Sequence, residues 1–66
     1  MFNKTKRIMR RAIIDQIEKN DMIIDLLEHY ATGCDPEKFN DTIAGAKLKI
    51  RRELREYLQN LLQEVE

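Results

Sequence analysis

The chain has 66 residues, 42% of them apolar and 36% charged, and its twelve Lys and Arg balance its twelve Asp and Glu. A zero net charge excludes the global field that drives indiscriminate binding to DNA or to an anionic membrane. The lone cysteine excludes an internal disulfide and fits a reducing cytoplasm. A domain this small buries only about 60% of its unfolded surface, so we expect one domain over residues 1–66 that needs a partner or a second copy.

The sequence has no apparent targeting or membrane-spanning segment. Residues 1–11 are basic but lack the apolar run and the cleavage site of a signal peptide. No stretch approaches twenty apolar residues. We therefore expect a cytoplasmic protein.

A first helix is predicted over residues 4–32, because apolar residues recur there at helical spacing. The line expected to face the second helix consists of Ile13, Ile17, Asn20, Ile24, Leu27 and Ala31. A second line beside it makes the apolar face too wide for one neighbouring helix, and its members are Ala12, Ile23, Leu26 and Tyr30. Asn20-Asp21 resembles a helix start, but the apolar phase continues across it, so we predict an unbroken helix.

The turn is predicted at residues 33–35. Gly33 is expected to close the first helix in the left-handed conformation. Asp35, Pro36 and Glu37 then follow as N-cap, first-turn proline and first-turn acid of the second helix.

The second helix is predicted as one element over residues 36–64. Its main line, expected to face the first helix, consists of Phe39, Ile43, Ala46, Ile50, Leu54, Tyr57, Leu61 and Val65. A second line lies beside it and consists of Ala44, Leu48, Arg51, Arg55, Leu58 and Leu62. Gly45 is interpreted as permitting close helix approach rather than ligand binding.

The short turn predicts an all-α antiparallel hairpin of two long helices, in which facing residues have numbers that sum to about 67. Ile13 would then meet Leu54, Ile17 would meet Ile50, and Ile24 would meet Ile43. Asn20 would lie opposite Ala46 and Lys47. The remaining apolar surface predicts a homodimer that forms a four-helix bundle. The residues predicted for self-association are Ala12, Ile23, Leu26, Tyr30, Ala44, Leu48, Leu58 and Leu62.

Arginines cluster at the open end of the predicted hairpin. The candidates for contact with phosphate or an acidic partner are Arg7, Arg10, Arg11, Arg51, Arg52 and Arg55. Arg51 and Arg55 interrupt an apolar line, which leaves three interpretations open. They extend out of a dimer interface, pair with acids such as Asp15 or Glu18 to fix the register, or form a binding site.

Neither a metal site nor a catalytic site is predicted. His29 and Cys34 supply two soft ligands, whereas a structural zinc ion takes four. The carboxylates of the first helix lie on a convex surface that offers no enclosed pocket for acid–base chemistry. We therefore expect neither enzymatic activity nor a cofactor.

Two functions remain as hypotheses. The first is a small regulatory or adaptor protein that acts by helix-mediated protein–protein interaction and by self-association. The alternative is binding to the backbone of RNA or DNA through the arginine-rich open end.

Overall fold

The computed structural model describes the backbone of residues 2–66 and the side chains from Lys4 onward. Three helices follow one another along the chain: α1 over Phe2–Ala31, α2 over Pro36–Asn40 and α3 over Ile43–Val65. No strand occurs among the described residues, which confirms the all-α prediction. The shorter α3 packs antiparallel against α1, and the resulting rod measures 52 × 15 × 14 Å.

Helix α1 runs unbroken through Asn20-Asp21, as predicted. The predicted left-handed Gly33 is wrong, because no glycine among the described residues has a positive φ. Tight turns end the helix instead. The Gly33 N–H donates to the Tyr30 carbonyl at 3.3 Å, and the Cys34 N–H donates to the Ala31 carbonyl at 3.0 Å. These bonds satisfy carbonyls of the last turn without a left-handed residue.

The predicted start of the second helix is confirmed. Asp35 is the N-cap of α2, its carboxylate accepts from the Glu37 N–H at 3.1 Å, and Pro36 is the first helical residue. An N-cap acceptor and a proline without an N–H both suit this position, where helix donors have no intrahelical partner.

The predicted continuous helix over residues 36–64 is wrong, because the chain breaks at Asp41-Thr42. Asp41 closes α2, and Thr42 becomes the N-cap of α3, where its hydroxyl accepts from the Gly45 N–H at 3.1 Å. A Cβ at Gly45 would overlap the Phe39 carbonyl oxygen and lie 2.9 Å from the Asn40 Cα. Gly45 therefore permits the close approach that the sequence suggested, between α2 and the first turn of α3.

The break moves the register of the hairpin. Since α2 belongs to the connection, the facing ends of the long helices are residues 31 and 43, whose numbers sum to 74 rather than 67. Asn20 accordingly bonds to Arg51 rather than facing Ala46 and Lys47. The predicted contact of Ile24 with Ile43 is also wrong, since Ile24 lies in the core with Phe39 and Leu48.

The break also changes which line of α3 faces α1. Phe39 keeps its predicted buried position, but Ile43, Ile50 and Tyr57 of the predicted main line are 78%, 61% and 61% exposed. The second line supplies Leu48 and Leu58 to the core instead. Because α2 and α3 are separate helices, α3 can take a rotation about its own axis that a continuous helix would not allow.

Candidate interaction surface

An apolar groove runs between α1 and α3 on one side of the hairpin. It has a volume of about 640 Å³, and its lining residues are Ile23, Leu26, Leu27, Lys47, Ile50, Arg51 and Leu54. Leu26 and Ile50 are 70% and 61% exposed. The two basic side chains of the groove lie on α3, whereas its α1 side is entirely apolar.

The apolar surface extends beyond the groove along both helices. Ile43, Ile50 and Tyr57 are spaced seven residues apart, which places them on one line of α3. On α1, Tyr30 lies one turn beyond Leu26 and is exposed, although its ring centroid is 6.2 Å from that of the buried Phe39. The hairpin therefore exposes one apolar side over much of its length.

The residues predicted for self-association divide between the two helices. On α1, Ala12, Leu26 and Tyr30 are exposed and Ile23 is half-buried. On α3, Leu48 and Leu58 are buried in the hairpin, whereas Ala44 and Leu62 are half-buried. The α3 members thus belong to the line that faces α1. Sequence reasoning recognised Ile43, Ile50 and Tyr57 as a line, but assigned it to the inside.

Arg51 lies in the middle of the α1–α3 interface, beside the buried Asn20. The Asn20 Nδ2 donates to the Arg51 carbonyl at 2.9 Å, and the Arg51 Nη1 donates to the Asn20 Oδ1 at 3.4 Å. Asn20 is only 2% exposed, so these bonds satisfy a polar group that is costly to bury alone.

Four of the other candidate arginines form ion pairs within the hairpin. Arg55 donates from Nε to Asp21 at 2.8 Å, and Arg52 reaches Glu28 at 3.3 Å. The weaker pairs are Arg10 with Glu66 at 3.8 Å and Arg11 with Asp15 at 3.7 Å. Arg55 therefore pairs with an acid of α1, but with Asp21 rather than with Asp15 or Glu18.

A shallow basic depression lies at the open end, where α3 ends beside the start of α1. Its volume is about 410 Å³, and its lining residues are Lys6, Arg7, Arg10, Val65 and Glu66. Glu66 partly offsets the positive charge, because its carboxylate pairs with Arg10.

Among the described residues, no three His, Cys, Asp or Glu side chains are grouped to hold a metal ion. Cys34 is an exposed free thiol. Within residues 2–66, no helix combines the length and the apolar character needed to cross a membrane.

Comparison of the chain with protein-family models, with curated proteins and with solved structures found no match.

Proposed function

We propose that this chain is a non-enzymatic regulatory or adaptor protein that binds protein helices through the apolar groove and associates with itself through the same side. The observation that carries the proposal is the groove with its exposed Leu26 and Ile50. Among the described side chains, five large apolar residues are buried and eight are well exposed. Exposed apolar surface of this extent on a small protein is typical of an interaction surface.

The shape of the groove suits an amphipathic helix. A helix that lies between α1 and α3 would place its apolar face on Ile23, Leu26, Ile50 and Leu54, in the helix-in-groove mode of recognition. Lys47 at the groove favours a ligand helix with acidic residues beside its apolar face.

The arginine contacts also support this proposal. Arg51, Arg52 and Arg55, which were candidates for phosphate contact, all donate to groups of α1. A carboxylate paired with an arginine lowers the net positive charge that this part of the surface offers to phosphate. The alternative, nucleic-acid binding, therefore rests on the open end around Lys6 and Arg7.

Substitutions in the groove test the proposal. Leu26→Glu and Ile50→Glu place a charge on exposed positions, so the hairpin should still fold while association is lost. Gln63→Glu is the matched control, because Gln63 is exposed and lies nine residues after Leu54, about 180° around the helix. Sedimentation velocity over a range of concentrations should show self-association of the unaltered chain and of Gln63→Glu only. A monomer at every concentration would contradict the self-association half of the proposal.

The alternative has its own measurement. If the chain binds the nucleic-acid backbone, its affinity for a short RNA or DNA duplex should fall steeply as the salt concentration rises. At a given salt concentration, Arg7→Ala should bind more weakly than the unaltered chain. Affinity that is absent at low salt, or unchanged in Arg7→Ala, would contradict the alternative.

A further inference from the structure

We propose that the apolar groove selects a partner helix that carries one Asp or Glu on its apolar face, placed to bind Lys47 and Arg51 together. This preference rests on the proposed function and narrows it, because it moves the acid from beside the apolar face onto that face. The two cations lie in the groove, one turn apart on α3. Among the described residues, no carboxylate forms an ion pair with either of them.

Helix α3 carries two basic residues on each side of the line that it buries against α1. At 100° per residue, and measured from the middle of that buried line, Arg55 and Arg52 lie about 20° and 80° to one side. Arg51 and Lys47 lie about 20° and 60° to the other side, which is the side of the groove. The positive charge of α3 is therefore arranged in nearly the same way on both sides of the hairpin.

Helix α1 supplies carboxylates to only one of these sides. Asp21 accepts from the Arg55 Nε at 2.8 Å, and Glu28 accepts from the Arg52 Nη2 at 3.3 Å. Asp21 lies about 80° from the buried line of α1, and the residue about 80° from that line in the opposite direction is Ile23, which lines the groove. The chain therefore pairs both cations on one side of the hairpin and leaves both cations in the groove without an acid.

Helix α3 does not supply the missing acid either. The residues three and four positions from Lys47 or Arg51 are all apolar or basic, namely Ile43, Ala44, Lys47, Leu48, Ile50, Arg51, Leu54 and Arg55. Among the described residues, the Arg51 guanidinium makes one hydrogen bond, to the Asn20 Oδ1 at 3.4 Å. Since a guanidinium has five N–H donors, most of those of Arg51 are free to bind a partner.

A helix that covers the groove removes both cations from water. Against a purely apolar helix, the ammonium and guanidinium groups would lose hydration without gaining a hydrogen-bond acceptor, which opposes binding. A carboxylate at this place accepts from both groups where water is excluded, and charge-assisted hydrogen bonds are strong there. The groove therefore disfavours apolar and basic helices as well as favouring an acidic one.

The positions of the two cations determine where the acid lies on the partner helix. Leu54 lies about one turn from Arg51 and two turns from Lys47, toward the open end of the hairpin. Partner residues beyond the acid in that direction therefore lie over Ile50 and Leu54. The expected pattern in the partner is an acid followed, in one direction along the sequence, by apolar residues about one and two turns away.

Two peptides that differ only in one side chain test this preference. Each is a fluorescein-labelled helix of about 14 residues, or four turns, with leucines along one face and either Glu or Gln in the middle of that face. The Glu peptide should bind the unaltered chain about tenfold more tightly than the Gln peptide, as measured by fluorescence anisotropy.

Variants of the two cations assign the preference to the groove. Lys47→Met keeps the apolar stem and removes the charge, so it should lose most of the preference, and Lys47→Met/Arg51→Met should lose all of it. Lys49→Met is the matched control, because Lys49 is exposed and lies about 160° from Lys47 around α3. It should keep the full preference.

The possible failures separate this preference from the proposed function. Equal binding of the two peptides, a preference that survives in Lys47→Met/Arg51→Met, or an equal loss in Lys49→Met would overturn the selection of an acid and leave the proposed function intact. Failure of both peptides to bind would overturn helix binding in the groove together with this preference. A dimer that persists in sedimentation velocity with the Glu peptide in excess would assign the groove to a second copy and overturn the acid-bearing partner.

An acid placed on α1 gives an independent readout. Ile23→Glu puts a carboxylate on the groove side at the level of Arg51, so it should pair with Arg51 as Asp21 pairs with Arg55. The Glu peptide should then lose its advantage over the Gln peptide. Ile23→Gln, which is polar but uncharged, should keep the advantage. An advantage of the same size in both variants would contradict the assignment of Lys47 and Arg51 as the groups that bind the acid.

Discussion

Gly45 is the residue on which the junction of α2 and α3 depends most directly. A Cβ at this position would overlap the backbone of Phe39 and Asn40, so Gly45→Ala must displace α2. We expect the free energy of unfolding to fall by about 1–3 kcal/mol, as for other overpacked sites, measured by urea denaturation.

Gly33→Ala is the matched control for this substitution. Its Cβ would meet only the Tyr30 carbonyl oxygen at 3.8 Å, and Gly33 has no positive φ. The stability should stay unchanged or rise by up to about 1 kcal/mol, because alanine restricts the unfolded chain. Equal losses in Gly45→Ala and Gly33→Ala would contradict the close approach at α2.

Asn20 and Arg51 form a pair whose two hydrogen bonds differ in kind. The 2.9 Å bond runs to the Arg51 backbone carbonyl, and only the 3.4 Å bond uses the Arg51 side chain. Asn20→Ala removes both bonds and leaves a void, so we expect a loss of about 1–3 kcal/mol of unfolding free energy. Arg51→Met keeps the shorter bond and should cost less. A larger loss in Arg51→Met than in Asn20→Ala would show that the guanidinium carries the contact.

At the scale of the helices, Thr42 decides that the chain after the turn forms two elements. Its hydroxyl caps α3, so Thr42→Ala should lower the free energy of unfolding by about 1 kcal/mol. Asp35→Ala removes the cap of α2, a helix of only five residues, and should cost less. Thermal denaturation followed by circular dichroism measures both losses, and a larger loss in Asp35→Ala would contradict this order.

Much of the helix pattern was predictable because its signals are local. The cap at Asp35 and the continuity from Ile17 to Ile24 both depend on neighbouring residues, and the structure confirms both. Thr42 also carries a local capping signal, but the apolar spacing from Phe39 to Ile43 continues across it and conceals the break. Because the cap at Thr42 was not recognised, the predicted register and the predicted rotation of all of α3 were wrong.

The candidate surface was less predictable, because its composition depends on that rotation. Leu48 and Leu58 form an apolar line as good as that of Ile43 and Ile50, and the sequence alone does not choose between them. In the structure the Leu48 and Leu58 line is inside, and the long-range contacts that accompany it, such as the bond from Arg55 to Asp21 across 34 residues, are not specified by local spacing. The width of the apolar face on α1 could be predicted from the local spacing of its apolar residues alone. Leu26 and Tyr30, which belong to that face, are exposed in the structure.

At the scale of the whole molecule, a thin rod has little interior. Only Ile13, Ile24, Phe39, Leu48 and Leu58 form the buried apolar core among the described residues. A chain of this size is marginally stable alone. Covering the apolar groove with a second copy would remove further apolar surface from water, so association and folding should be linked.

This linkage predicts that the thermal midpoint of unfolding rises with protein concentration, since a species that forms only from folded chains draws the equilibrium toward the folded state. Differential scanning calorimetry at several concentrations measures the effect. Ile50→Glu should lower the midpoint and remove its concentration dependence, because a carboxylate at this exposed position opposes burial against a second copy without entering the hairpin core. Gln63→Glu should keep the dependence. A midpoint of the unaltered chain that is constant with concentration would show that the hairpin is stable without covering its apolar side.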